Sequence, residues 1–109
     1  MKQKTLREIC AETGISRRAL QGYEKLGLVA PVGRNKYGHL LYGEAEQQKI
    51  QQIRFYQRLG FARKEISELM ESPVSHKKEV LMKRPKKLEA EYLQQKELIE
   101  QARLYIATL

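Results

Sequence analysis

Apolar residues recur at helical spacing in several short blocks and one long one, separated by glycine and proline. Leu6, Ile9 and Cys10 stand at i, i+3 and i+4, one face of a helix over residues 6–12. Thr5 with Glu8 three residues on matches a capping box, which satisfies the first orphan amides of that helix. Gly14 suits a tight reversal. Ser16 then caps a second helix over 17–25. Its Leu20 and Tyr23, and then Leu26, face the first helix, and Gly27 ends it. Residues 33–38 are a polar, basic turn region, and 39–42 form a short returning strand. A third helix over 44–59 carries Ala45, Ile50, Ile53, Phe55, Tyr56 and Leu59 in a broad apolar stripe, and Gly60 breaks it. A fourth over 63–71 turns Ile66, Leu69 and Met70 inward. Two short helices around a turn, then a hairpin, is the layout of a winged helix-turn-helix.

The last block has a different period. Ser72-Pro73 is a break, Ser75 caps a short helix up to Lys83, and Pro85 starts or kinks the final helix. From there Leu88, Tyr92, Gln95, Ile99, Ala102, Ile106 and Leu109 follow one another in steps of four and three. That is a coiled-coil seam with one polar member, Gln95, of the kind that fixes register. A helix of about 22 residues reaches about 33 Å, too long for so small a domain to cover. The seam is either an amphipathic face packed on its own domain or a dimer stalk, and the length favours the stalk. The expected division is a DNA-binding domain at 1–72 and a linker with dimerisation helix at 73–109. The fold class is mainly α.

Charge narrows the partner. The 109 residues carry a formal net charge of +8, which favours a polyanion. RNA and membrane surfaces would satisfy the charge equally. Its distribution is more telling. Residues 1–42 hold eight Lys or Arg against three Glu, a net of +5, and residues 71–109 hold eight against six, a net of +2. The cationic excess coincides with the helix-turn-helix.

Candidate chemistry outside this motif is sparse. The single cysteine, Cys10, permits no internal disulfide and no CxxC motif, and its setting suggests a buried, inert thiol. There is no signal-peptide pattern and no apolar run near 20 residues, so a cytoplasmic protein without membrane contact is expected. The chain has no aspartate. His39 and His76 lack a paired nucleophile pattern, and 33–38 lacks the GK[ST] of a phosphate loop, so neither an enzyme nor a metal or other cofactor is expected.

The motif itself offers a reading surface. Ser16 at a helix start can meet a phosphate. Arg17 and Arg18 can reach guanine edges or phosphates, and Gln21, one turn on, can read adenine. Tyr23 is either core or a phosphate donor, and partial burial with the hydroxyl outward is expected. Arg34, Lys36, Tyr37 and His39 sit on or near the wing tip, where the cations can track the backbone.

As a set, TLREICAETGISRRALQGYEKLGLVAP, then NKYGHLLY, then IQQIRFYQRLGFARKEISELM resembles the MerR family of transcription regulators over residues 1–71. The resemblance implies a winged helix-turn-helix with a second helix pair and a long helix forming an antiparallel coiled coil between two subunits. It implies a homodimer that binds double-stranded promoter DNA and untwists it so that RNA polymerase can engage. Arg63 and Lys64 match the start of the fourth helix, which in the family also touches backbone. There are departures. Gln21 and Gly22 replace an arginine and an aromatic before Tyr23, and Gly22 costs about 1 kcal/mol of helix propensity against alanine. His39 and Leu40 replace a tyrosine and an arginine in the wing, with Leu40 expected to bury against the third helix. Ala62 replaces a serine cap. The departures point to an atypical operator. The family's metal- and redox-sensing cysteines are missing, and nothing after Leu109 forms a drug-binding domain. The chain is thus either a regulator without small-molecule effector or part of a longer protein. The alternatives are a coiled-coil protein-interaction module and an architectural DNA-bending factor of a mobile element.

Overall fold

The computed structural model describes residues 2–109. The elements run β1 (Lys4–Thr5), α1 (Leu6–Thr13), α2 (Arg17–Lys25), β2 (Gly33–Arg34), β3 (Leu40–Tyr42), α3 (Glu44–Arg58), α4 (Arg63–Glu71) and α5 (Val74–Ala107). They fall into two compact units, Met1–Ser72 and Pro73–Leu109.

Local chemistry starts α1 and α2 where the sequence places them. The Thr5 hydroxyl accepts from the Glu8 amide at 3.2 Å while the Glu8 carboxylate accepts from the Thr5 amide at 3.1 Å. The backbone and hydroxyl bonds from Thr5 lower the Glu8 pKa below its ordinary value. The Ser16 hydroxyl accepts from the Ala19 amide at 3.0 Å. Between the helices Gly14 takes a left-handed φ of 78° and donates its N–H to Cys10 O at 3.0 Å. A side chain there would be strained.

The wing is a three-stranded sheet, not a two-stranded hairpin. β3 is central, with β1 and β2 antiparallel on either side in the order β1-β3-β2. Lys4 pairs with Tyr42 and Thr5 with Leu41; Gly33 pairs with Leu41 and Arg34 with Leu40. The returning strand begins at Leu40, one residue later than expected. β1 has two residues, too few to show the alternation by which a strand is read.

The core of the first unit joins Ile9, Ile15, Leu20, Tyr23 and Tyr42 to Ile50, Ile53, Tyr56, Phe61, Ile66 and Leu69, all buried. Polar side chains of α3 tie it to the helix-turn-helix. Arg54 Nε donates to Thr13 O at the carbonyl end of α1 at 3.1 Å. Gln47 Nε2 donates to Tyr42 O at 2.9 Å, and Glu46 accepts from the Ala30 amide at 3.0 Å. Three apolar assignments change. Phe55 is 56 % exposed and Ala45 is exposed. Ile50, Ile53 and Tyr56 define the buried stripe, and at about 100° per residue Phe55 lies some 200° from Ile53. Leu26 is 48 % exposed, because the left-handed Gly27 turns the chain and Leu28 and Val29 take the buried places.

The second unit is one helix. α5 runs for 34 residues with Pro73 as its N-cap and Pro85 inside it, so there is no separate short helix capped by Ser75. Proline removes one ladder bond, here the one to Leu81 O, but does not forbid a helix that continues on both sides. At 1.5 Å per residue α5 is about 51 Å long. It ends at Ala107, so Leu109, the last residue of the seam, lies just past it. Every residue from Glu89 onward is exposed.

Candidate nucleic-acid interface

α2 presents its polar face at its start. Ser16, Arg17, Arg18 and Gln21 are all exposed, while Leu20 and Tyr23 on the opposite side are buried. Gln21 shares the exposed side with Arg17, four residues before it, and Arg18, three before it, and Leu20 and Tyr23, three apart, share the buried one.

The wing tip is a tight turn organised by Asn35. Its Oδ1 accepts from the amides of Tyr37 at 2.9 Å and His39 at 3.0 Å. The Gly38 amide closes on Asn35 O at 3.0 Å, and the Asn35 amide on His39 O at 2.9 Å. Gly38 holds φ at 81°. Arg34 Nη1 donates to Gly38 O at 2.6 Å, so this guanidinium braces the turn. Lys36 Nζ lies 5.1 Å from the centre of the Tyr37 ring, which is itself 6.3 Å from that of His39.

A concavity of about 670 Å³ opens between the start of α1, α2 and the wing. It is lined by Thr5, Leu6, Arg7, Arg17, Gln21, Gly38, His39 and Leu40. The structure thus brings Arg17, Gln21 and His39 together. Arg18 lies on α2 outside the concavity, and Arg34, Lys36 and Tyr37 stand at the wing tip beside it. Arg7 is an addition that sequence reasoning missed. It follows Leu6, which faces inward, and so points off the α1 core stripe next to Arg17. Leu40 lines the same concavity, half-buried next to Leu6, instead of sinking fully under the third helix.

The carboxylates nearby are engaged with other groups. Glu8 is held in its cap, Glu12 pairs with Lys4, and Glu24 accepts from the Tyr42 hydroxyl. Cys10 is half-buried, not buried; burial raises its pKa, and the Arg17 charge opposes that rise.

Tyr23 departs from expectation. Only 1 % of it is exposed, and its hydroxyl accepts from Gln57 Nε2 at 3.4 Å, so it is a packing residue linking α2 to α3. The Arg63 guanidinium lies 5.6 Å from the centre of its ring, within cation–π range. Arg63 and Lys64 open α4 and are exposed. At that end the Glu65 carboxylate accepts from the Ala62 amide at 2.8 Å, and alanine offers no oxygen in return. Among the described residues no cluster of His, Cys, Asp or Glu could hold a metal, and no helix is long and apolar enough to cross a membrane.

Comparison with known proteins places this geometry. Residues 4–73 match the family described as MerR HTH family regulatory protein. Over 68 residues the chain is 34% identical to the HTH-type transcriptional activator TipA of Streptomyces coelicolor, covering 62% of this chain and 27% of TipA. Over 91 residues it is 29% identical to the HTH-type transcriptional activator mta of Bacillus subtilis, covering 77% of this chain and 35% of mta. The chain therefore spans about a third or less of these relatives. The fold is similar to that of the N-terminus of MtaN, the Bacillus subtilis multidrug transporter activator. The TM-score is 0.68 at 25% identity, over 94% of this chain and 97% of that one. It is also similar to HiNmlR, a MerR family regulator lacking the sensor domain and bound to promoter DNA. There the TM-score is 0.72 at 20% identity, over 91% of this chain and 80% of that one. With a family match over residues 4–73, most of its length, this chain belongs to the MerR family.

Proposed function

We propose that this chain is a sequence-specific, double-stranded DNA-binding transcription regulator that acts as a homodimer in the cytoplasm. α2 enters the major groove with Arg17, Arg18 and Gln21 leading. Ser16 and Arg7 meet phosphates near the helix start. Lys36, Tyr37 and His39 on the wing, with Arg34 bracing its tip, follow the backbone beside the groove. Arg63 and Lys64 add backbone contacts from α4. α5 pairs with its copy in an antiparallel coiled coil, and the two halves distort the promoter between half-sites, so that sequence is read partly as deformability. RNA polymerase is the second partner at that promoter. No bound cofactor is needed for DNA recognition by these groups, and none of them forms a catalytic constellation.

The observation that carries this reading is the concavity where Arg7, Arg17, Gln21 and His39 converge beside the exposed start of α2. Cations and an amide able to make paired hydrogen bonds thus stand together at the exposed start of α2, beside the wing. The DNA-bound HiNmlR shares the fold and lends support. The test is selection of bound duplexes from a random pool, followed by titration at several salt concentrations. A two-fold symmetric site is expected, with Arg17→Ala and Arg18→Ala each weakening binding by about 1–3 kcal/mol if they read bases. Wild-type affinity for the duplex no greater than for any polyanion, or unchanged binding in both variants, overturns the assignment.

A further inference from the structure

Gly22 is a glycine in the interior of α2 with ordinary helical geometry. The left-handed glycines are Gly14, Gly27, Gly38 and Gly60, so conformational freedom does not explain this one. Space does. A Cβ built on Gly22 would stand 2.5 Å from both Cζ and Nη1 of Arg63 and 2.9 Å from its Nη2. The guanidinium of an α4 residue occupies the place of the missing α2 side chain. From there it covers the Tyr23 ring at 5.6 Å, and the Tyr23 hydroxyl is fixed in turn by Gln57.

The location of this seat gives it a consequence. Residue 22 lies four positions after Arg18, on the same helical row. A side chain at 22 would continue that row along the exposed face of α2. Here α4 supplies it instead, and supplies a cation. Arg63 as a residue is exposed, so its seat lies at the surface and not in the core. A stacked guanidinium has already lost much of the freedom that a free arginine loses on binding.

We infer that Gly22 is a positioning residue: by leaving its site empty it seats Arg63 beside Arg18, so that α2 and α4 present one preordered pair of cations to the DNA backbone. This rests on the proposed DNA-binding function and assigns the departure at Gly22 a role within it. The far end of a flexible arginine can move aside, so Gly22→Ala folds and displaces Arg63 without breaking the core. Alanine is also the better helix former. If the seat has no part in DNA binding, Gly22→Ala is at least as stable as wild type and binds DNA unchanged.

The test is a cycle of wild type, Gly22→Ala, Arg63→Ala and the double variant, read on the duplex recovered from the random pool. Arg63→Ala is expected to lower affinity by about fivefold at 0.15 M salt and to reduce the salt slope by about two, one phosphate contact being lost per protomer. Gly22→Ala is expected to show a smaller loss in the same direction with no drop in melting temperature, and no further loss once Arg63 is alanine. In the free protein, the ring-current shift of the Arg63 Nε–H and δ-protons should collapse in Gly22→Ala. Gly22→Ala that keeps wild-type affinity and salt slope, or losses that simply add, overturns the inference while leaving the DNA-binding function standing. A wild type that shows the ring-current shift but binds no duplex overturns both, and reduces the seat to packing.

Discussion

Tyr42 is the residue where burial, hydrogen bonding and charge act together most strongly. It is fully buried in β3, and its hydroxyl donates to the Glu24 carboxylate of α2. Burial first, then the Glu24 hydrogen bond and charge, push its pKa far above the ordinary tyrosine value of 10.0. The unfolded phenol ionises near that value, while the folded one holds its proton to higher pH. The stability this contributes is complete below about pH 10 and declines as pH rises from there toward the folded pKa. Tyr42→Phe should cost about 1–2 kcal/mol near neutrality through the lost bond and should flatten the alkaline decline. Urea midpoints between pH 8 and 11 decide this: wild-type and variant curves that fall in parallel would remove Tyr42 as the cause. Residue-scale features were unevenly legible beforehand. The Thr5–Glu8 box and the Ser16 cap depend on three-residue spacing and could be read directly. The burial of Tyr23 and the Arg63 seat depend on how α2, α3 and α4 pack, which no local spacing encodes.

At the scale of elements, α1, α2 and α4 were readable because caps, glycines and apolar spacing agree on their ends. β1 was not, since its two residues are strands only by virtue of pairing with β3. α5 was misjudged at Pro85 because proline marks a local cost, not a stop. The flanking turns offset that cost when each forms a helix of its own. This continuity predicts a gain on Pro85→Ala. The new amide can donate to Leu81 O, and the helix interior is relieved of a penalty of up to about 3 kcal/mol. Helical ellipticity and melting temperature should both rise, and the amides just after residue 85 should exchange more slowly. In the wild type the amides on both sides of residue 85 should already be protected from exchange, and unprotected amides there would show α5 broken at this point.

At the scale of the whole molecule, the unbroken α5 carries the period of the seam back to the helix start, with Pro85 and Lys78 interrupting its apolar character. Stepping back from Leu88 by the same alternation of three and four reaches Pro85, Leu81, Lys78 and Val74. Within the second unit, Tyr92, Ile99 and Ile106 are all more than half exposed. A helix of this length that leaves a regular apolar stripe in water is the expected form of one strand of a coiled coil. Burying each such side chain against a copy contributes about 1.5–3 kcal/mol, so several together outweigh the cost of association. Ile99 sits near the middle of the part from Leu88 onward. Ile99→Asp should place an unpaired carboxylate in a dry contact and convert dimers to monomers in sedimentation at tens of micromolar. The same variant should lose the two-fold footprint while keeping weak, salt-sensitive binding that still depends on Arg17, because one reading head remains and only the effective concentration of the second is lost. A variant that still sediments as a dimer would move the interface away from this seam. A wild type that sediments as a monomer at that concentration would remove the dimer, and with it the two-fold symmetric operator.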